Sequence, residues 1–524
     1  MHDVQGEERL IEQGQSARAV EEFDYVIVGA GSAGAVIAAR LSEQADVEVA
    51  LVEAGGSHKS EIFDVPSRWP DQQLTASDWD LDTEPEPGLA GRRLGLSRGK
   101  VLGGSSSMNG MIYLRGARED YDGWRNSGLL GWGAEEVLPT FTKMETRRGA
   151  ASDRHGGDGP IVVEEAAQPH EVSAAWVEAA MSAGYPRNDD LNGDTQFGAG
   201  FFPLSIDGSR RVSSATAYLE PAEDRRNLTV LTHTRAMRVV IEHGRAVGVE
   251  VEHLGERRVL RARREVVVSA GTYLTPQLLM LSGIGHAEHL RSLGIDVVQD
   301  LPVGDNLQDH PGVGLYYFST TGPAEAGSAL GEAGGFFAAE GGATPDTETM
   351  VYPYYNGPQN TISDRAGAGF TITVQVLRPH SRGSVRLRSS HPTAAPLIQH
   401  NHFTDERDRK LIADAIRLNL AIIREPAMQR LIVRPRLLPE SESDADILAY
   451  VRAYGHGFWH PTSTAPMGAV LDERLRVRGV PGLRVADASA MPTIVGANPN
   501  ATVFMIGEKA AAFITEDARG TDLT

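Results

Sequence analysis

The chain has 524 residues, with 50 Lys plus Arg against 70 Asp plus Glu, a formal net charge of −20 and no cysteine. The acidic balance argues against nucleic acid or an anionic membrane as partner. The missing cysteine excludes disulfides, thiolate nucleophiles and Cys-held zinc or iron–sulfur clusters. At 41% hydrophobic and 23% charged residues the composition is that of a soluble globular protein, long enough for roughly two to four domain-sized units. No apolar run approaches a bilayer-spanning length. Residues 1–20 read as an acidic N-terminal extension without the apolar stretch of a secretion signal. The expectation is a cytoplasmic protein.

The first clear elements begin at Phe23. "FDYVIVGAGSAGAVIAARLSE" predicts a buried parallel strand from Tyr25 to Val28, a glycine turn, and an apolar helix to about Leu41. "VEVALVEAG" predicts a second strand ending at Glu53. This order builds an α/β, doubly wound sheet. Gly29, Gly31 and Gly34 form G-x-G-x-x-G at the turn, with Ser32 and Ala33 between them. Gly29 permits the tight turn, Gly31 lets a pyrophosphate approach the backbone, and Gly34 lets helix pack on strand. Glu53, at the end of the next strand, suits an unphosphorylated ribose. The pattern predicts a dinucleotide site for NAD or FAD and does not separate the two.

Residues 57–96 read as loop, and 97–116 are too rich in Gly and Ser for packed regular structure. Residues 227–271 alternate apolar and polar positions, with turns at His243–Gly244 and Gly255, predicting a small antiparallel meander. Between Pro311 and Tyr454, "FTITVQVLRP" and "GSVRLRSS" predict antiparallel strands with polar alternation, and "DERDRKLIADAIRLNLAII" an amphipathic helix opened by Asp405. The Gly/Ala-rich stretch 324–348 reads as a mobile loop, a candidate lid.

"GHGFWHPTSTAPMG" (455–468) places His456 and His460 four residues apart. A helical metal pair is a poor reading: Gly455 and Gly457 weaken a helix, Pro461 turns His460 away from helical dihedrals, and no glutamate follows His456. No metal is expected, and His456 is read as a solvated or hydrogen-bonding loop residue.

Four further segments resemble the glucose–methanol–choline (GMC) oxidoreductase family: "GKVLGGSSSMNGMIYLRGAREDYD" (99–122), "GTYLTPQLLMLSGIG" (271–285), "LPVGDNLQDHP" (301–311) and "GLRVADASAMPTIVGANPNATVFMIGEKAA" (482–511). The resemblance implies FAD as cofactor. It implies that Arg98, Gly99, Val101, Gly103, Gly104, Ser105, Asn109, Gly110, Met111 and Ile112 wrap the flavin. Ala54, Trp79, Ala236, Ala270, Gly271, Asp487, Ala488, Pro499, Asn500 and Thr502 would complete its site. Met108 stands where some members bond FAD through a histidine, so non-covalent FAD is expected.

The family's catalytic histidine falls on His460, with Ser463 replacing the usual glycine after it, and the family's His-or-Asn partner falls on Asn498. The implied activity is oxidation of an alcohol CH–OH to an aldehyde or ketone, with hydride transfer to flavin N5. His460 would act as acid/base, and oxygen or another acceptor would reoxidise the flavin. A hydroxynitrile lyase-like enzyme on the same fold is the alternative. Glu332 and Trp459 are candidate substrate contacts, Glu332 because a matching residue faces the ammonium in choline-oxidising relatives. The expected architecture is a Rossmann-like FAD-binding domain from 21–160, 225–312 and 455–524. A substrate domain from 161–224 and 313–454, built on an antiparallel sheet, would cover the flavin.

Overall fold

The structure, a computed structural model, describes residues 21–149, 153–322, 328–338, 342, 344–355 and 368–521. The N-terminal extension and part of the 324–348 stretch lie outside the described residues.

The first sheet is laid down by β1 (Glu21–Val28), α1 (Ser32–Leu41) and β2 (Val49–Val52). β1 is buried continuously from Phe23, and β2 throughout, as expected of parallel strands covered on both faces. β3 (Leu228–Leu231) pairs parallel with β2. It therefore extends the dinucleotide sheet, whereas the sequence placed it in the meander. The meander itself is β4 (Thr234–Glu242), β5 (Arg245–His253) and β6 (Glu256–Val268), paired antiparallel. Its turns fall where expected, with positive φ at His243, Gly244 and Gly255. β6 serves both parts: its second half pairs parallel with β1 and with β13 (Leu483–Val485).

The second sheet is antiparallel, in the order β8 (Ala333–Phe337), β9 (Thr347–Tyr352), β10 (Gly369–Val376), β7 (Pro311–Ser319) and β11 (Ile432–Leu437). The two-residue β12 (His456–Gly457) also pairs with β7. Phe370, Ile372, Val374 and Val376 of β10 share one apolar core with Ile412 and Ile416 of α4 (Glu406–Ile423). Asp405 caps α4 as predicted, accepting from Arg407 N at 2.9 Å. The polar alternation of β10 is real, yet every position is buried. Thr371, Thr373 and Gln375 stand opposite Tyr352, Met350 and Glu348 of β9, on the face turned away from α4.

Three expectations are corrected. Ser384–Arg386 pairs only with Leu397–Gln399, forming a two-stranded sheet that packs near α3 (Gly271–Leu281) and not within the second sheet. The described parts of 324–348 include β8 and the start of β9, which pair with each other as sheet and not as a lid. Val212, Ala215, Tyr218 and Leu219 pack in the core of the first sheet beside α1, so the 224 boundary does not follow the packing. Their apolar side chains cover α1, which a parallel sheet needs on that face.

Gly34 explains the tight seating of α1: a Cβ there would lie 1.9 Å from the Gly29 carbonyl oxygen and 3.1 Å from Ser269 Cβ. Gly34→Ala is expected to push α1 off β1 and to lower flavin retention on purification, measured as the ratio of flavin to protein absorbance. A variant with full flavin content and unchanged thermal midpoint would contradict this packing role.

Candidate active site

The carboxyl ends of β1, β2 and β6 open onto one cleft, where ligands sit in open parallel sheets. It is lined by Gly29, Gly31, Ser32, Ala33, Glu53, Ala54, Trp79, Arg98, Gly99, Gly104, Ser105, Asn109, Gly110, Met111, Ile112, Ala236, Ala270, Gly271, Asp487, Ala488, Asn498, Pro499 and Asn500, and by Trp459 and His460. Sequence reasoning therefore marked residues that the fold brings together. Five marked residues do not reach the cleft. Gly34 underlies the turn, as above. Val101 is fully buried and bridges to Gly56. Gly103, at φ +88°, turns the chain and donates its N–H to Ala30 O at 2.7 Å. Thr502 turns its hydroxyl to Tyr121 Oη at 2.8 Å. Glu332, 1% exposed, spends its carboxylate on the His170 N–H (2.8 Å) and the Ser328 hydroxyl (2.5 Å).

At the nucleotide end, Gly29 has φ +96°, and a Cβ there would meet Ser269 O at 2.4 Å. A Cβ on Gly104 would lie 2.7 Å from Gly31 Cα, so two glycines let the loop and the turn close on each other. No side chain caps α1 at Gly31, which leaves its first N–H groups directed at the cleft. Beside it begins α5 (Asn500–Thr521), and Ser32 Oγ donates to Asn500 Oδ1 at 2.7 Å. Glu53 accepts from Ala30 N (3.0 Å) and Gly55 N (2.8 Å). Burial pushes its carboxyl up to about 7, against the pull of those backbone donors. Asp487 holds four donors: Gly271 N, Thr275 Oγ1, Ser489 N and Ser489 Oγ. Its carboxylate fixes the strand end at the cleft floor.

Two organising residues escaped sequence reasoning. Asp78 gathers Leu74 N, Asp80 N, Ser97 Oγ and Arg98 N around one carboxylate. Arg211, 2% exposed, donates to the carbonyls of Phe63, Ser106 and Asn109 and to Asn109 Oδ1. Burial lowers its guanidinium to about 9. It clamps the 104–112 loop, in which Met111 adopts φ +62°. An isolated arginine in "SRRVSS" carried no signal of this.

The other end of the cleft holds His460. Its backbone N–H donates to Asp309 Oδ1 at 2.7 Å, its Nδ1 lies 3.0 Å from His310 Nδ1, and its Nε2 lies 3.2 Å from Asn498 Nδ2. His310 Nε2 lies 3.1 Å from the Val495 carbonyl. A carbonyl only accepts, so His310 carries its proton on Nε2 and presents a lone pair at Nδ1. His460 must then donate from Nδ1, leaving its Nε2 lone pair on the cleft side, where it accepts from Asn498 Nδ2. Burial, the His310 ring and the Arg98 charge hold His460 well below the usual imidazole range. Burial pushes His310 down to about 3. Both rings are neutral at pH 7. His310 lies in "LPVGDNLQDHP", immediately before the first residue of β7, and nothing in that spacing marks it as the partner of His460.

Trp459, at φ +58°, walls the cleft, and Arg98 Nη2 donates to its carbonyl at 2.8 Å. Trp69, Met350, Tyr352 and Phe458 line the same cavity, with Trp69 and Tyr352 ring centroids 6.4 Å apart. His456 is buried at 5% exposure, its Nδ1 2.9 Å from Gly457 O. Of the expected solvated or hydrogen-bonding loop residue, the solvated reading is corrected, because pairing of β12 with β7 carries His456 inside, where it makes a hydrogen bond. Ser463 has φ +74°, the backbone region that accounts for a glycine at this place in relatives.

GMC oxidoreductase sequence profiles match residues 23–312 and 379–507. An oxygen-dependent choline dehydrogenase of Paraburkholderia phytofirmans is 40% identical over 536 residues, covering 94% of each chain. One from Cronobacter sakazakii is 40% identical over 538 residues with the same coverage. Among solved structures, pyridoxine 4-oxidase from Mesorbium loti superposes with a TM-score of 0.90 at 31% identity, covering 94% of this chain and 98% of that one. A fungal aryl-alcohol oxidase gives 0.85 at 26% identity, covering 95% and 100%. Among the described residues, no helix is long and apolar enough to cross a membrane. The chain belongs to the GMC oxidoreductase family and is an FAD-dependent oxidoreductase acting on CH–OH donors.

Proposed function

We propose that this enzyme oxidises the hydroxyl-bearing carbon of a small amino alcohol of the choline class, with His460 as proton acceptor. The observation that carries the reading is the fixed tautomer of His460, whose Nε2 lone pair lies beside Asn498 within the cofactor cleft. The glycine-lined turn, the uncapped start of α1 and the Glu53 carboxyl fit the pyrophosphate and ribose of FAD. Arg98, Gly99, Gly104, Ser105 and Asn109 to Ile112 would hold the ring system. The bound flavin supplies hydride-accepting redox chemistry.

The protein's contribution is orientation and proton handling. His460 Nε2 takes the hydroxyl proton, a role suited to an imidazole kept neutral by its surroundings. The Asn498 amide donates to the substrate oxygen and stabilises its developing negative charge. Asp309 holds the His460 backbone amide, and His310, accepting at its own Nδ1, keeps the imidazole Nδ1 protonated. For the ammonium head, the aromatic faces of Trp69, Tyr352, Phe458 and Trp459 offer cation–π contact worth about 0.5–2 kcal/mol. Glu332 lacks access to the cleft and takes no part. Choline is the first substrate to test, since relatives matched along nearly the whole chain bear that activity in their names.

Anaerobic choline is expected to bleach the flavin absorbance of the purified enzyme, and admission of air then distinguishes reoxidation by oxygen from transfer to another acceptor. A flavin left unbleached by choline, aryl alcohols and polyols alike would overturn the oxidation reading and favour a lyase. His460→Ala should slow the anaerobic reductive step by about 10²–10⁴-fold, with flavin content retained. Because the base must be neutral and its pKa is depressed, kcat/KM should stay level as pH falls to the ordinary imidazole value of about 6.5 and decline only below it. A half-maximal point above that value would contradict the assigned environment. Acid precipitation should release the flavin into the supernatant, since Met108 offers no imidazole for a covalent bond.

A further inference from the structure

Behind the His460 loop lies a polar cluster of which the proposed alcohol oxidation uses only Asp309 Oδ1, on the His460 amide. Asp309, His400 and His402 are each 3% exposed, and one ligand-type atom from each lies within 4.8 Å of the others. Asp309 Oδ2, His400 Nδ1 and His402 Nε2 have no hydrogen-bond partner in the protein. An unsatisfied buried polar atom costs about 1–3 kcal/mol, and such atoms are few in folded proteins. Three converging on one point call for a common occupant.

The far sides of these groups are already fixed. Asp309 Oδ1 accepts from His460 N at 2.7 Å, and His400 Nε2 lies 2.9 Å from Tyr273 Oη. The His400 and His402 rings stack at 4.6 Å with 20° between their planes. Gly457 forms the wall. A Cβ there would come within 2.2 Å of Asp309 Oδ2 and 2.8 Å of His402 Nε2, so the glycine keeps the space before both atoms open. His456 adds a third imidazole near His402: its Nδ1–H donates to Gly457 O, leaving its Nε2 a bare and unpartnered lone pair.

We propose that Asp309, His400 and His402 form a buried site for a divalent transition-metal ion of the zinc class, separate from the flavin cleft. Two imidazoles and one carboxylate are the donor set such ions take, with a fourth position left for His456 or water. Tyr273 and the His460 amide are the outer partners that orient metal ligands. No cationic side chain is hydrogen-bonded to the Asp309 carboxylate among the described residues, so its Oδ2 is free to meet an ion. Asp309 Oδ2 and His400 Nδ1 are 4.0 Å apart. Bonds near 2.1 Å require each ligand atom to move inward by roughly 0.7 Å, within reach of small side-chain rotations. Through Asp309 the ion would anchor the backbone of His460.

The rival occupant is an ordered water, and the test separates the two. The flavin-loaded enzyme is stripped with a chelator, incubated with Zn²⁺, gel-filtered, and its zinc counted by mass spectrometry against flavin absorbance. About one zinc per flavin is expected in the wild type, falling at least tenfold in His402→Phe and His400→Phe variants that keep their flavin. Equal zinc in wild type and variants, or none in either, would overturn the site. Should both variants lose flavin, anomalous diffraction at the zinc edge from Zn²⁺-soaked wild-type crystals decides. A peak among the three side chains supports the proposal and its absence overturns it.

Discussion

The active end of this molecule depends on one short ladder between residues 308–312 and 456–462. Gln308 and Thr462 exchange backbone hydrogen bonds, Phe458 N donates to His310 O, and Pro311 and Gly312 pair with Gly457 and His456. The first strand belongs to the link between the two sheets, since β7 begins at Pro311. The second carries the catalytic loop. Docking the two sheets and placing His460 beside His310 are therefore one event. The side chains follow from the ladder: Asp309 faces the His460 amide, and His310 faces the His460 ring.

That geometry does chemical work because the surroundings are dry. An imidazolium at His460 would lose its hydration and face His310 and the Arg98 charge, each effect favouring the neutral ring. A shift of one unit corresponds to about 1.4 kcal/mol between protonation states, so modest desolvation is enough to keep this imidazole neutral at neutral pH. The Val495 carbonyl completes the arrangement at a distance. It fixes the proton on the far nitrogen of His310, and His310 fixes the proton on the near nitrogen of His460. Neither the carbonyl nor His310 needs to touch substrate for the lone pair to point the right way.

Much of this was legible in the sequence where local rules act alone. The strand–turn–helix at 25–41 and the cap at Asp405 appear as read, because glycine spacing and capping chemistry are decided within a few residues. Most positions named for the cofactor gather in one cleft because they lie at strand ends, helix starts or the 98–112 loop, places marked by Gly, Ser and Asn. The failures share a different cause. β3 joined the parallel sheet, not the meander, because pairing to β2 is settled by a segment almost 180 residues away. His456 read as a solvated or hydrogen-bonding loop residue, and its burial was missed because polar residues between glycines look like surface until a strand partner is known. Arg211 and His310 act through contacts more than a hundred residues apart, and Asp78 through loop donors up to 20 residues away; no spacing encodes either. Glu332 was misplaced for a related reason: its motif fixes the strand, but not which neighbour takes the carboxylate.

The loss of Glu332 from the cleft changes what recognition can mean here. Where a pocket carboxylate faces an ammonium, binding gains from direct charge pairing, yet the same negative charge opposes alkoxide formation a few ångströms away. In this chain the cleft that holds His460 is also lined by Trp69, Met350, Tyr352, Phe458, Trp459 and Asn498, and its only carboxylates among the described residues are Glu53 and Asp487. Glu53 and Asp487 border the cleft elsewhere, and each is saturated or held by backbone donors. A cationic head would then be held by ring faces, whose attraction falls off quickly with distance and is indifferent to the state of the hydroxyl. Binding and proton removal would be decoupled: aromatic contacts select the substrate, while Asn498 and His460 alone meet the charge that develops on oxygen. Such a site tolerates neutral aryl or alkyl alcohols of similar shape far better than a carboxylate-lined one, which leaves substrate choice to the dimensions of the aromatic wall and not to the protein's overall negative charge.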